Sequence, residues 1–129
     1  MFDEFFDKKN VYAVVGASKD RNKYGNKVLR DLVSAGYKAV PVNPKEREIE
    51  ELTCFENLRQ AGKIDVVIFV VPQSVTETVL EEVKSLKIKK VWMQPGSESE
   101  SAIDFCKKNG IECIHSMCIM LSRKNQGQD

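Results

Sequence analysis

Apolar stretches of strand length recur along the chain, and the segments between them carry apolar residues at helical spacing. The strand-like stretches are rich in valine and isoleucine and largely continuous; they are Val11–Val15, Lys38–Val42, Asp65–Val71, Lys90–Met93 and Ile111–Ile114. Continuous runs of this kind are typical of strands buried on both faces of a parallel sheet. The pattern therefore predicts a core built around these strands.

Three helices are predicted by apolar residues that lie three or four positions apart. The three apolar stripes consist of Val28, Leu29, Leu32 and Val33; of Val75, Val79, Leu80, Val83 and Leu86; and of Ala102, Ile103 and Cys106. The first stripe ends at Ala35-Gly36 and the third at Asn109-Gly110, and glycine is a common residue just after a helix. Strands that alternate with helices predict an α/β fold: a doubly wound parallel sheet in a Rossmann-like, three-layer α/β/α arrangement.

The periodicity weakens between residues 43 and 63. We expect a short strand at Thr53–Phe55, followed by a helical turn through Leu58 and Ala61. The acidic residues in this region are interpreted as a solvated turn; they are Glu46, Glu48, Glu50 and Glu51.

The two ends of the chain lie outside the alternating pattern. Phe2, Phe5 and Phe6 have helical spacing, so we expect a short leading helix that docks on the domain. The residues after Leu121 are polar and are expected to fray. These observations divide the chain into a helical extension at residues 1–9, one domain at residues 10–121 and a polar tail at residues 122–129.

Composition narrows the classes of function. The chain has 129 residues, of which 42% are hydrophobic and 30% charged, and 20 basic against 19 acidic side chains leave a net charge of +1. A nucleic-acid-binding surface would need a clustered basic excess, and a membrane span would need about 20 consecutive apolar residues; neither pattern is present. The acidic amino terminus does not resemble a signal peptide, so we expect a cytoplasmic protein.

Four cysteines are present, namely Cys54, Cys106, Cys113 and Cys118. For a cytoplasmic protein of this size we expect reduced thiols. A structural zinc site is not expected, because no CxxC pair occurs and the chain has one histidine.

The fold class places a ligand site before any motif does. In doubly wound sheets, ligands bind at the carboxyl ends of the strands, where the winding direction reverses. Small and turn-forming residues concentrate in the four segments that follow the predicted strands, which are Gly16-Ala17-Ser18, Asn43-Pro44-Lys45, Pro72-Gln73-Ser74 and Gln94-Pro95-Gly96. All four segments are therefore expected at one edge of the sheet, although each taken alone is also explained as a turn.

The loop after the first strand has features of a phosphate-binding loop. Gly16 suits a tight turn, and Ser18 offers a hydroxyl and an amide to a phosphate. A helix that begins around Gly25-Asn26 would add free N–H groups and the positive end of its dipole. The basic side chains of this loop suit a ligand with more than one phosphate, although any one of them is also explained as solvated surface charge; they are Lys19, Arg21 and Lys23.

The segment Asn43-Pro44-Lys45 bears on the identity of the ligand. NAD-binding domains normally have a carboxylate here, which accepts hydrogen bonds from the ribose hydroxyls. An amide followed by Lys45 would instead attract an adenosine that carries an extra ribose phosphate. NADP and coenzyme A both meet this description.

The segments after the later strands could form the walls of the site. Pro72 presents a flat apolar face that, with Val71 and Val75, suits an adenine ring; the alternative is that Pro72 only starts the next helix. Gln94 and Gly96 could line the far side of the cleft, and Trp92 is expected in the core.

Several stretches, taken together, resemble a known family. They are VVGAS at Val14–Ser18, KYGN at Lys23–Asn26, AGYKAVPVNPK at Ala35–Lys45, FVVP at Phe69–Pro72, VWMQPG at Val91–Gly96 and the closing Cys118-Ile119. In this order and at these intervals they resemble the coenzyme A-binding domain family in its short stand-alone form, from Asn10 to Leu121. That family is similar to the amino-terminal domain of the succinyl-CoA synthetase alpha subunit, a Rossmann-like domain that holds coenzyme A by its nucleotide end.

The resemblance implies a role for each segment of the edge. By similarity, the diphosphate would contact Gly16, Ala17, Ser18 and Tyr24, in the loop that also carries Lys23. The adenosine and its 3′-phosphate would contact Asn43, Pro44 and Lys45. The adenine would pack on Val71, Pro72 and Val75, and the pantetheine would be bordered by Gln94, Pro95 and Gly96.

The expected function is binding of coenzyme A or acyl-CoA without catalysis. No Ser-His-Asp order, P-loop or paired carboxylates accompany the proposed cleft, and His115 does not match the phosphorylated histidine of the synthetase. The alternatives are an NADP-dependent oxidoreductase or a nucleotide-binding enzyme that uses the same edge, and a reaction of Cys118 with the coenzyme A thiol. A homodimer or another protein partner is compatible with the phenylalanines near the amino terminus.

Overall fold

Five parallel strands form one sheet in the computed structural model, which describes residues 2–126. The strands of the chain are β1 (Val11–Val15), β2 (Lys38–Val42), β3 (Glu48–Ile49), β4 (Leu52–Thr53), β5 (Val66–Phe69), β6 (Lys90–Met93) and β7 (Glu112–His115). The order in the main sheet is β2-β1-β5-β6-β7, and β3 and β4 form a separate antiparallel hairpin. Three of the main strands have the predicted bounds, β5 is shorter at both ends, and β7 lies one residue later.

Helices cover both faces of this sheet. They are α1 (Tyr24–Ser34), α2 (Leu58–Ala61), α3 (Gln73–Ser85), α4 (Glu100–Lys108) and α5 (Ile119–Gln126). The buried side chains of α1 and α5 pack with one face of the sheet, and those of α2, α3 and α4 pack with the other. The predicted three-layer, doubly wound α/β fold is confirmed. Among the described residues, no helix is long and apolar enough to cross a membrane.

The winding direction reverses between β1 and β5. From β1 the chain runs outward through α1 to β2, and from β5 it runs the other way through α3 to β6 and through α4 to β7. The carboxyl ends of β1 and β5 are neighbours, because Val15 pairs with Phe69 and the N–H of Val70 donates to the carbonyl of Val15. The reversal therefore lies between the loop after β1 and the loop after β5.

The amino-terminal phenylalanines dock on the domain, as expected. They belong to a 3₁₀ helix, Asp3–Phe6, in which Phe5 and Phe6 are buried. Together with Phe2 they surround Trp92, with ring centroids 5.5 to 5.8 Å from that of the indole. Trp92 is fully buried, in agreement with its predicted place in the core.

Two local predictions are wrong. The strand expected at Thr53–Phe55 is instead β4, which ends at Thr53 and pairs with β3, while Phe55 makes only an isolated bridge with Val42. The residues after Leu121 do not fray up to residue 126 but continue α5, because Arg123 donates two hydrogen bonds to Asp31 on α1, at 2.6 and 2.9 Å. Residues 127–129 of the expected polar tail lie outside the described residues.

We predict that Tyr12→Phe destabilises the domain by about 1–2 kcal/mol, since its buried hydroxyl donates to the carbonyl of Phe5 at 2.6 Å. Burial raises the pKa of Tyr12 from 10.0 to about 12. The contribution of the hydroxyl is complete below the unfolded-state pKa and is lost as the pH rises through the folded-state pKa. The difference in free energy of unfolding between wild type and variant should therefore shrink between pH 10 and 12.

Denaturant unfolding at several pH values measures this difference. Tyr37→Phe is the matched control, because its hydroxyl makes no hydrogen bond among the described residues. A difference that stays constant up to pH 12 would contradict the prediction.

Candidate functional site

Two glycines bring the first loop, the first helix and the end of β5 into close contact. Gly16 has φ +96°, and a Cβ on it would lie 2.2 Å from the carbonyl oxygen of Val70. A Cβ on Gly25, in the first turn of α1, would lie 2.0 Å from the carbonyl oxygen of Gly16. Neither position has space for a side chain, so α1 begins directly against the turn at the reversal point. A helix that starts here presents the positive end of its dipole to this edge.

Side chains hold the carbonyls of the loop after β1. The Asn43 amide donates to the carbonyl of Ala17 at 2.9 Å, and the Asn26 amide donates to the carbonyl of Ser18 at 2.8 Å. The hydroxyl of Ser18 accepts from the N–H of Asp20 at 3.0 Å. The Asn43 side chain is therefore engaged through one amide proton and through its oxygen, which accepts from the N–H of Lys45 at 2.8 Å, and the Ser18 hydroxyl keeps its proton to donate.

Glu48, Glu50 and Glu51 are exposed, as the solvated-turn interpretation expected, but Glu46 and Glu50 also engage cations of the loop after β1. Glu46 forms an ion pair with Lys19 at 3.2 Å. Glu50, in the turn between β3 and β4, accepts from Arg21 at 3.2 and 3.3 Å and from Asn26 at 3.0 Å. The hydrogen bond from Asn26, with the charge of Arg21, lowers the pKa of the Glu50 carboxyl from its ordinary value.

Four cationic side chains were expected at this edge of the sheet. Two of them, Lys19 and Arg21, are therefore paired with glutamates of the protein. The ammonium groups of Lys23 and Lys45 make no ion pair or hydrogen bond with any residue of the described range 2–126. These two groups are the ones available to an anionic ligand.

An apolar cleft of about 450 Å³ opens beside the reversal point. Six of the predicted site residues line this cleft, namely Tyr24, Val71, Pro72, Gln94, Pro95 and Gly96. It is also lined by Val70, Ser97 and Cys118, which the sequence did not assign to a nucleotide site. Val75, 39% exposed on α3, is not among the lining residues.

The far wall of this cleft is fixed by Gln94. Its side chain is 4% exposed, accepts from the N–H of Ile119 at 2.6 Å and donates to the sulfur of Cys118 at 3.5 Å. Ser97 accepts from the N–H of Val71 at 3.0 Å and so joins the loops after β6 and β5. Gln94 was expected to face the ligand, yet its carboxamide also tethers the start of α5.

Pro44 and Lys45 lie in a second cavity of about 360 Å³, with Glu46, Arg47, Cys54, Glu56 and Gln60. The strand order sets the ends of β2, β1, β5 and β6 in a row, so the loop that contains Gly16 lies between the two cavities. With strands about 4.8 Å apart, the row is about 15 Å long. The predicted site residues therefore lie along an extended edge that includes two cavities.

The described residues offer no cluster of three metal-ligating His, Cys, Asp or Glu side chains. His115 lies at the end of β7, partly exposed, and its Nδ1 is 2.9 Å from the Ser116 hydroxyl. Cys106 is fully buried, and burial raises the pKa of Cys54. All four cysteines are free thiols.

The sequence of this chain is similar to a family model and to individual known proteins. Residues 10–124 match a family model described as CoA binding domain. The chain is 28% identical to the alpha subunit of an ADP-forming acetate–CoA ligase II from Pyrococcus furiosus, over 92% of this chain and 28% of that subunit. It is also 28% identical to the uncharacterized protein YneT of Bacillus subtilis, over 92% of this chain and 89% of that protein.

Solved structures share the fold. A conserved hypothetical protein from Pyrococcus furiosus is 43% identical with a TM-score of 0.82, over 88% of this chain and 97% of that one. A dinucleotide-forming acetyl-coenzyme A synthetase 1 from Ca. Korarchaeum cryptofilum is 26% identical with a TM-score of 0.73, over 88% of this chain and 27% of that one. The chain therefore spans little more than a quarter of the length of the ligase and synthetase chains that it matches here.

We predict that Gly25→Ala lowers the free energy of unfolding by at least about 2 kcal/mol. Helix propensity alone would favour alanine by about 1 kcal/mol. The new methyl group would lie 2.0 Å from a backbone oxygen that cannot move without displacing β1. The clash therefore outweighs the helix propensity, and the free energy of unfolding falls.

Urea unfolding of the variant checks this prediction. Gly110→Ala is the control for the clash, because its Cβ would meet nothing within 4 Å, so that its φ of +66° is the source of its strain, about 1–2 kcal/mol. A stabilised Gly25→Ala would contradict the packing found here.

Proposed function

The chain belongs to the CoA binding domain family, and from this premise we propose that it is a module that binds coenzyme A or acyl-CoA without itself catalysing a reaction. The observation that carries the proposal is the convergence at one sheet edge of an apolar cleft, a loop beside a helix amino terminus and two unpaired lysines. Coenzyme A has an apolar arm, a diphosphate and a ribose phosphate. These three parts suit the apolar cleft, the loop beside the helix amino terminus and the unpaired lysines, respectively.

The proposed arrangement follows the row of strand ends. Lys45, after β2, attracts the 3′-phosphate of the adenosine beside Pro44. The diphosphate lies over Gly16–Ser18, with Lys23 and Tyr24 at the start of α1. This order brings each ionised phosphate close to a cation, or to N–H groups, that the protein leaves unpaired.

The apolar cleft serves the other parts of the ligand. Val71 and Pro72 form an apolar wall against which the adenine packs, with Val75 at its outer rim. Gln94, Pro95 and Gly96 border the pantetheine arm, whose thiol end then lies toward Cys118. The last position follows from the cleft, since Cys118 lines it together with Gln94 and Gly96.

The named relatives favour coenzyme A over NADP. One of them is called an acetate–CoA ligase subunit and another an acetyl-coenzyme A synthetase, and neither name refers to an oxidoreductase. Titration of the purified protein with coenzyme A, acetyl-CoA and NADPH separates the two ligands. Saturable binding of NADPH without binding of coenzyme A would reject the proposal.

We predict that Lys45→Ala weakens coenzyme A binding about tenfold, since a hydrogen bond to a charged group contributes about 1.5–3 kcal/mol. Dephospho-coenzyme A lacks the 3′-phosphate, so its affinity should change less than twofold. Isothermal titration calorimetry with both ligands measures the two effects on the same protein.

Lys63→Ala is the matched control, because Lys63 is an exposed lysine just before β5, at the opposite edge of the sheet. It should leave both affinities unchanged. Equal losses for the two ligands in Lys45→Ala would remove the assigned role of this lysine.

A further inference from the structure

Asn26 is a fully buried polar side chain whose hydrogen-bonding groups are all engaged. Its amide nitrogen donates to the carbonyl of Ser18 at 2.8 Å and to the Glu50 carboxylate at 3.0 Å. Its oxygen accepts from the Arg30 guanidinium at 2.6 Å, and Arg30 also donates to the carbonyl of Arg21 at 3.0 Å. Glu50 and Arg30 therefore fix the orientation of the Asn26 carboxamide from both sides.

The hydrogen bonds from Asn26 and Asn43 determine where two N–H groups of the loop point. In a trans peptide the N–H of a residue points opposite to the carbonyl of the residue before it. The carbonyl of Ser18 faces Asn26 and that of Ala17 faces Asn43, so the N–H groups of Lys19 and Ser18 point away from these side chains. Neither N–H finds an acceptor among residues 2–126.

We propose that Asn26, clamped by Glu50, is a positioning residue that aims the N–H of Lys19 at the diphosphate of the ligand, beside the N–H of Ser18 that Asn43 orients. The inference rests on the proposed function and extends it, because it assigns the hairpin turn between β3 and β4 a part in anion binding. A loop held in its bound conformation binds more tightly, since less conformational entropy is lost on binding.

The negative charge of Glu50 contributes to the positioning of Asn26. The carboxylate accepts from both Arg21 and Asn26, so that its removal frees the Arg21 guanidinium and one proton of the Asn26 amide at once. Two other charged features lie near Glu50 and Asn26. They are Arg30 on α1 and the ion pair between Lys19, in the loop after β1, and Glu46, after β2. The side chain of Glu50 is 26% exposed, so a substitution there leaves the core intact.

Glu50→Ala tests the proposal on the full chain, with Glu51→Ala as the matched control. Both glutamates lie in the same turn with positive φ, 51° and 65°, but Glu51 makes no hydrogen bond or ion pair among the described residues. Affinities are measured for coenzyme A and for pantetheine, which has no phosphate. Glu50→Ala should weaken coenzyme A about tenfold and pantetheine less than twofold, and Glu51→Ala should change neither.

Amide chemical shifts give a readout that loss of stability alone would not move. In wild type, the amide proton of Lys19 should shift downfield on addition of coenzyme A, and in Glu50→Ala this shift should fall by at least half. Asn26→Asp, which keeps the shape but loses both donors, should give a larger loss of affinity if it folds.

The possible failures are distinguishable. If wild type binds no coenzyme A, the proposed function is rejected and the inference with it. If wild type binds but Glu50→Ala and Glu51→Ala have the same affinity, only the positioning role is overturned. Equal weakening of coenzyme A and pantetheine in Glu50→Ala would also overturn it, because the turn would then act through general stability.

Discussion

The close approach of three backbone segments at Gly16 is the constraint on which the rest of this structure depends. The carbonyl of Val70 lies where a side chain on residue 16 would be, and the carbonyl of Gly16 lies where a side chain on residue 25 would be. Because both side chains are absent, β5 can lie beside β1 while α1 starts immediately above the turn. The start of α1, the loop after β1 and the end of β5 therefore meet at the point where the winding reverses.

The electrostatics of the edge come from selective pairing and not from net charge. The chain as a whole has a charge of only +1. Glu46 and Glu50 from the segment after β2 engage Lys19 and Arg21 from the loop after β1, which ties two neighbouring strand ends together. Lys23 and Lys45 remain as local positive charges at either side of the loop, where a ligand with separated phosphates would meet both.

The core of the fold was predictable because its signal is local. Five buried strands give continuous runs of Val and Ile, and the helices between them have apolar stripes, so the order of elements can be read from the sequence alone. The hairpin from Glu48 to Thr53 was not predictable, because two-residue strands have no periodicity. The helical state of residues 122–126 was missed since it depends on Arg123 reaching Asp31, 92 positions away in the sequence.

The candidate site was predictable to a similar degree and for a similar reason. Small residues that follow each strand indicate the edge of the sheet, and this signal does not depend on the residues that they contact in the fold. The partners themselves are long-range: the sequence does not show that Asn43 is engaged with Ala17, that Glu50 holds Arg21, or that Cys118 reaches the cleft from the start of α5.

Helix α5 makes the cleft a preformed site. Gln94 holds its first N–H, the Trp92 indole donates to the carbonyl of Met117 just before it at 2.9 Å, and Arg123 anchors its last turns to α1. The wall that carries Cys118 is thus braced against β6 and α1 at once. A long, flexible ligand loses much conformational entropy on binding, and a site that needs no ordering of its own adds little to that cost. The loop after β1 is held in the same way, since the buried Asn26 joins the Ser18 carbonyl to Glu50 and Arg30.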